Sequence, residues 1–335
     1  MKKTLLTFVL IFSFLIGFGQ DEVFNLLIKQ GIEFHDAGDY DRALEKYNEA
    51  LKLKPNSSLA HYEIAYSYLS MENYKEAIKH SKIVIKNKDG FELQGFIIQG
   101  NALDQSGKPK KALKVYEEAL KEHDNYMLHY NYAITCRSQG MTEQALQSTI
   151  NAISNNASHA SSHLLLSNLM ENSGSRIKKM LPLYLFLLIE PNSARSPDAY
   201  QQLISHLDYG ISKEDDKNIN VSIPNFKGED DFNAAEMMIS LSRASNTMEE
   251  NKDKNAYELF AENNNMIFSI LGELKDEKEG FWWDLYVDFF YKIATEGHCK
   301  AFSYYISLSQ DDAIVNDWLG DNQIKINAFF EMINQ

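Results

Sequence analysis

A repeat of about 34 residues constrains this chain more than any other feature, because a fixed period of that length means stacked copies of one small helical unit. Ala43, Ala77, Ala112 and Ala145 lie 34, 35 and 33 residues apart. Around each alanine the pattern recurs. Gly38-Asp39-Tyr40-Asp41-Arg42-Ala43 aligns with Glu72-Asn73-Tyr74-Lys75-Glu76-Ala77. Gly107-Lys108-Pro109-Lys110-Lys111-Ala112 and Gly140-Met141-Thr142-Glu143-Gln144-Ala145 follow in the same register. Twelve residues before the alanines stand Gly31, Ala65, Gly100 and Ala133. Seven after them stand Ala50, Val84, Ala119 and Ala152, and four after them Tyr47 and Tyr116 recur in alternate units.

Each unit reads as two antiparallel helices joined by a tight turn. Small residues fall where helices approach most closely, and large ones such as Phe34, Tyr68 and Leu103 fill the space between. Glycine suits the turn because it tolerates positive φ. Proline, as in Leu53-Lys54-Pro55-Asn56, stops the second helix. These residues and their spacing resemble the tetratricopeptide repeat (TPR) family. The resemblance implies an all-α fold, a right-handed solenoid of helix pairs, and use of the first helix of each pair to bind an extended or helical peptide. Four repeats are clear, at about 24–57, 58–92, 93–125 and 126–159. A fifth, at about 160–193, keeps Ser167, Gly174 and the closing Ile189-Glu190-Pro191-Asn192-Ser193. It carries Lys179 and Phe186 where the others have alanine or valine, which predicts looser or tilted packing there. Ser196–Leu207 reads as a helix covering the end of the array.

The remaining chain has a different character. Lys2 and Lys3, an apolar run from Leu5 to Phe18, and Gly17 and Gly19 have the order of a secretory leader. The run is 14 residues, short of the about 20 needed for a bilayer span. The expectation is therefore export to the periplasm or medium without a stable membrane span after cleavage, with an uncleaved anchor as the alternative. Residues 210–231 are polar and read as a linker, within which 219–223 alternates as a short extended piece. Residues 232–335 read as a helical domain without the repeat, with helices expected at 234–248, 256–274, 282–295, 300–307 and 324–333. The organisation expected is thus a leader at 1–19, a solenoid of about five repeats and a capping helix at 20–209, a linker at 210–231, and an acidic helical domain at 232–335.

The formal charge is −14, from 33 basic and 47 acidic residues, which disfavours nucleic acid as the main partner. The acidity concentrates after Gly210, where 24 acidic residues face 11 basic ones. Two cysteines, Cys136 and Cys299, cannot make a disulfide-dense scaffold. No phosphate-binding glycine loop or Gly-x-Ser-x-Gly elbow occurs. His159 and His163 have metal-ligand spacing but lack the glutamate of a zinc protease motif, and the stretch from Asp216 lacks both the glycine and the final glutamate of a calcium loop. No cofactor or metal is expected. Cys299 beside His298 is the more reactive thiol on sequence, and Cys136 reads as a small core residue. The aromatic run Phe281–Tyr291 reads as a core helix of the C-terminal domain.

Carried onto this sequence, the resemblance gives a peptide-binding groove. Its lining would include Asn25, Ile28 and Ile32, then Tyr62, Tyr66 and Leu69, then Ile97, Asn101 and Asp104. Met127, Tyr130, Ile134 and Arg137 would follow, and then Leu164, Asn168 and Glu171. The family's lysine and arginine clamp for a terminal carboxylate is not expected, because Arg137 is the main cation among these positions. An apolar, tyrosine-rich groove suits a hydrophobic or helical segment, either of a partner or of the chain's own C-terminal helices. The expected function is a non-catalytic scaffold for a protein or peptide. The alternatives are an enzyme using His298 and Cys299, or a structural component of an envelope assembly.

Overall fold

The computed structural model describes residues 2–213, 219–221, 231–245, 251–276 and 278–334, without the side chains of 2–18, 211–219, 221 and 245. The chain divides into two compact units, Met1–Ser148 and Thr149–Gln335. The division falls within a helix. The break expected at 210–231 lies inside the second unit.

The first unit is built from α1 (Lys2–Asp36), α2 (Tyr40–Leu53), α3 (Ser58–Ser70), α4 (Tyr74–Asn87), α5 (Glu92–Gln105), α6 (Pro109–Ala119), α7 (Tyr126–Ser138) and the first half of α8 (Thr142–Asn155). The expected leader falls in the first half of α1, and the side chains that would define it lie outside the described residues. Among the described residues no helix is long and apolar enough to cross a membrane. Helices pair in sequence order, and the first helices of successive hairpins also touch: α1 with α3, α3 with α5, and α5 with α7. That arrangement gathers the first helices into one face.

Local chemistry sets the boundaries. The turns place Gly38, Gly107 and Gly140 at φ 77, 74 and 73°, and the second repeat puts Glu72 at φ 59° in the equivalent position. That is a strained place for a residue with a Cβ. Asp39 and Asn73 then accept from the backbone N–H groups of Arg42 and Glu76. Ser57 caps α3 in the same way, through Ala60 N. Each such cap contributes about 1 kcal/mol.

Packing inside the hairpins follows one spacing with two solutions. The small residue of the first helix and a side chain of the second lie 16 residues apart in every repeat. In the first and third repeats the pair is Gly31 with Tyr47 and Gly100 with Tyr116. In the second and fourth repeats it is Ala65 with Ser81 and Ala133 with Thr149. The tyrosine rings are fully buried and lie across the glycines, so a Cβ on Gly31 or Gly100 would come within 2.3 or 2.2 Å of a ring carbon. A large ring thus faces no side chain, and where the first helix carries alanine the second carries a small polar residue.

The second unit continues from the end of α8 with α9 (Ala160–Leu169), a 3₁₀ turn (Met170–Asn172), α10 (Arg176–Ile189) and α11 (Ser196–Asp208). A two-stranded antiparallel hairpin follows, β1 (Ile211–Lys213) with β2 (Ile219–Val221), pairing Ile211 with Val221. The rest of the linker stretch, 214–218 and 222–230, lies outside the described residues. Then come α12 (Asn233–Ser245), α13 (Ala256–Glu273), a π-helical turn (Trp282–Val287), α14 (Asp288–Thr295), α15 (Cys299–Ile306), a 3₁₀ turn (Leu308–Gln310), α16 (Ala313–Asp321) and α17 (Gln323–Ile333). The helix α16 has no counterpart in the sequence reading.

The looser packing expected of the fifth hairpin is corrected by α10, whose residues from Met180 to Leu187 are all buried, Phe186 completely. This helix contacts α9, α11, α12 and α15. Tyr184 packs among Phe260, Phe268, Phe290 and Phe302, and its hydroxyl donates to Asn264 Oδ1 at 2.5 Å. The start of α10 is fixed by a buried ion pair, Arg176 Nε to Glu236 Oε2 at 2.9 Å. The Ser175 hydroxyl and the Ile177 N–H complete the coordination of Glu236 Oε1. The apolar side chains around α10 replace the small contacts that a further repeat would need, so phenylalanine serves where alanine stands elsewhere.

The two packing solutions make an exchange test. Gly100→Ala is expected to lower stability by about 1–3 kcal/mol, because Tyr116 has no room to yield. Adding Tyr116→Thr to Gly100→Ala recreates the pairing of the fourth repeat. In chemical denaturation the double variant should lose less than the sum of the two single variants, and strict additivity would contradict this packing rule.

Candidate ligand-binding face

The expected lining residues of the first unit divide by accessibility. Ile28 is 5% exposed and packs in the core with Phe24, Ala43 and Tyr47, so it offers nothing to a ligand. Ile32, Leu69 and Ile97 are half-buried and support their local cores. Tyr66 is 43% exposed, and Arg137 is exposed. Tyr62, Met127, Tyr130 and Ile134 are half-buried. Asn101 is also half-buried, and its Oδ1 accepts the Tyr116 hydroxyl at 2.6 Å. In the second unit Leu164 is half-buried and Asn168 exposed.

Ring contacts gather part of this face. The rings of Tyr62 and Tyr66 are parallel with centroids 6.2 Å apart, as expected for residues one helical turn apart. Tyr66 stacks on His35 at 4.7 Å, and His35 meets the edge of Tyr40 at 5.1 Å. The Ser67 hydroxyl and His35 Nδ1 are 2.8 Å apart. Burial keeps the His35 pKa below its ordinary value, Asp36 opposing in part.

Sequence reasoning missed Glu63, which lies between Tyr62 and Tyr66 on α3. It makes no hydrogen bond or ion pair among the described residues. Burial, and secondarily the charge of Asp36, pushes its carboxyl up to about 7. Tyr47 is 0% exposed, and its hydroxyl has no hydrogen-bond partner of normal geometry, although the Ser67 hydroxyl lies near enough to act on it. Its pKa is raised by burial first and then by the charges of Glu63 and Asp36, which places these groups together. The signal was present in the sequence. The third repeat has Asn101 beside Gly100 to receive the Tyr116 hydroxyl, whereas the first has Ile32 beside Gly31 and leaves Tyr47 without that acceptor.

The catalytic candidates of the second unit assemble no reactive pair. Cys299 is 4% exposed, and burial pushes its thiol up to about 12. The His298 ring faces Phe329, and no hydrogen bond joins it to Cys299 among the described residues. The expectation that Cys299 is the more reactive thiol is therefore corrected. A cleft of about 350 Å³ lies over Cys299, but its charges are already matched: Lys254 to Glu262 at 2.7 Å and Lys300 to Glu258 at 3.0 Å. His163 is fully buried. Its Nε2–H donates to the Ala157 carbonyl at 2.8 Å and its Nδ1 accepts from the Tyr286 hydroxyl at 2.7 Å, so both nitrogens are committed. Burial lowers its pKa to about 4. Both cysteines are buried free thiols.

Stacked hairpins with this crossing pattern define a helical-repeat protein. The TPR repeat model matches residues 31–72, and a second model, tetratricopeptide repeat, matches 99–161. Tetratricopeptide repeats thus occupy residues 31–72 and 99–161 of this chain. Among curated proteins it is similar to the Hsp70-Hsp90 organising protein of Plasmodium falciparum, 27% identical over 124 residues, which are 37% of this chain and 19% of that protein. It is also similar to small glutamine-rich tetratricopeptide repeat-containing protein 2 of Saccharomyces cerevisiae, 32% identical over 88 residues, covering 26% of this chain and 25% of that protein. The chain thus spans a quarter or less of the length of these relatives. Among solved structures it is similar to a thermophilic TPR protein of Thermus thermophilus, with TM-score 0.46 and 19% identity, over 55% of this chain and 98% of that one.

The thiol environments give a direct test. A soluble aromatic disulfide at pH 8 should label Cys136 and Cys299 at least about a hundredfold more slowly in the native chain than in denaturant. Fast labelling of one thiol in the native state would contradict the burial described.

Proposed function

We propose that this chain is a protein-binding scaffold that holds a peptide segment of a partner on the first-helix face of its repeats, without covalent chemistry. The observation that carries the reading is the row of half-buried aromatic and apolar side chains on that face, Tyr62, Ile97, Met127, Tyr130 and Ile134, together with the exposed Tyr66. Such a surface buries partner side chains at little reorganisation cost, since the helices that carry it are fixed by the hairpin cores. Amide and hydroxyl groups along it supply hydrogen bonds for orientation. The names of the two curated relatives, an organising protein and another repeat-containing protein, are in keeping with a scaffold.

Two further parts belong to the same reading. Lys2, Lys3 and the apolar run to Phe18 support export of the chain. The net charge of −14 supports a protein or peptide partner over a nucleic acid. The second unit would act as a structural companion to the repeats, since its thiol and His163 are enclosed. An enzymatic reading built on Cys299 lacks an activated nucleophile.

Tyr66 and Arg137 are exposed enough to replace without opening a core. The full chain carrying Tyr66→Ala and Arg137→Ala should melt within a few degrees of the parent. Quantitative affinity capture from the exported fraction should then recover its main partner about tenfold less efficiently. Undiminished recovery by the double variant, or a parent protein that recovers no partner, would contradict the proposal.

A further inference from the structure

The two repeats that use the glycine–tyrosine crossing differ in how they treat the tyrosine hydroxyl. In the third repeat the Tyr116 hydroxyl donates to Asn101. In the first, the corresponding position is Ile32, and the buried Tyr47 hydroxyl finds no acceptor of normal geometry. The residue on the following first helix also differs. It is Asn131 in the fourth repeat, a neutral amide, and Glu63 in the second, a carboxylate. The chain has therefore placed a half-buried acid, with a second acid, Asp36, near it, where the homologous site of the same chain is neutral and its tyrosine is bonded to Asn101.

Among the described residues no cation pairs with either acid, and the paired cations of α1 and α2 are engaged elsewhere. Lys29 faces Glu33 at 4.0 Å, and Lys46 pairs with Glu49 at 3.1 Å. Arg42 is bound to Asp39 and lies over the Phe34 ring. An unpartnered carboxylate taken partly out of water holds its proton more tightly, and a cation seated against it gains by restoring the charged form. The groups around it are the right ones for an organic cation. Tyr62 and Tyr66 flank Glu63 on α3, and Tyr66 is open to solvent. An ammonium or guanidinium with an alkyl stem gains from both the ring faces and the carboxylates.

We infer that the first-helix face of the first unit recognises a lysine or arginine side chain of the bound peptide, which seats against Glu63 and Asp36 beside Tyr62 and Tyr66. This inference rests on the proposed peptide-binding face and names the chemistry it selects. The carboxylate acts as a specificity residue whose cost to the free protein is recovered on binding. The half-buried acid has a pKa of about 7 in the free chain against an ordinary 4.5. A group raised in this way favours the fold below its ordinary value, and that contribution is lost as pH rises through about 7. Removing its charge should therefore leave the free protein at least as stable at pH 8 while removing the ligand preference. A merely structural acid would not separate the two effects.

The test uses the full chain immobilised at pH 8 and a displayed library of random twelve-residue peptides. Peptides retained by the parent should be enriched in lysine and arginine about fivefold over the library. The enrichment should disappear on Glu63→Gln, whose melting temperature should equal or exceed that of the parent. Asp36→Asn, at an exposed position, should reduce the enrichment partly and serves as the second variant if Glu63→Gln melts lower. Apolar peptides without cation enrichment, or the same enrichment on both variants as on the parent, would overturn this inference and leave the binding face standing. Retention of no peptide by the parent would overturn the binding face, and this inference with it.

Discussion

The closeness of the two helices within each hairpin is the constraint on which the rest depends. A ring of tyrosine size can cross an α-helix at van der Waals distance only where the helix carries glycine. Gly31 and Gly100 meet that requirement, and Tyr47 and Tyr116 use it. Where the first helix carries alanine, the second offers Ser81 or Thr149 in place of the ring. A ring thus stands sixteen residues after a glycine, and a small side chain sixteen residues after an alanine. This keeps successive hairpins stackable and explains why tyrosine recurs only in alternate units.

The same constraint generates the polar problem that gives the face its character. A buried tyrosine brings a hydroxyl into the core, and that hydroxyl needs an acceptor. Asn101 supplies one in the third repeat. The first repeat has Ile32 there and carries Glu63 nearby on the next hairpin, so packing and the proposed recognition meet at one place. In the second unit the repeat geometry gives way to a different solution. There α10 carries large side chains on every side, and its first turn is fixed by Arg176 and Glu236. Breaking such a pair from one side costs about 3–5 kcal/mol in general, whereas a pair with all its donors matched persists.

Much of this architecture was legible in the sequence. The alanine register and the turn glycines marked the hairpins of residues 24–159, and caps such as Asp39, Ser57 and Asn73 stand at their edges. Helices of the last hundred residues were legible from apolar spacing, and α13 begins at Ala256 as read. The helix α16 was not, because Asn316, Asp317 and Gly320 interrupt its short apolar pattern, of which only Val315 and Leu319 are buried. The burial of Ile28 and the inertness of Cys299 were also hidden, since both depend on what the next helix brings across. Glu63 was passed over for a related reason. A carboxylate beside lining positions 62 and 66 looks like surface charge until Tyr47 and Asp36, 16 and 27 residues away, are seen to crowd it.

The state of that one carboxyl group decides most directly between these ideas and their failure. Selective ¹³C labelling of glutamate side chains, with Glu63→Gln to assign the resonance, allows its titration to be followed by NMR in the free full chain. The expected midpoint is near 7. A midpoint near the ordinary 4.5 would show that Glu63 is solvated or already compensated, and would contradict the claim that the crossing of the first hairpin leaves an unmet charge on the proposed binding face.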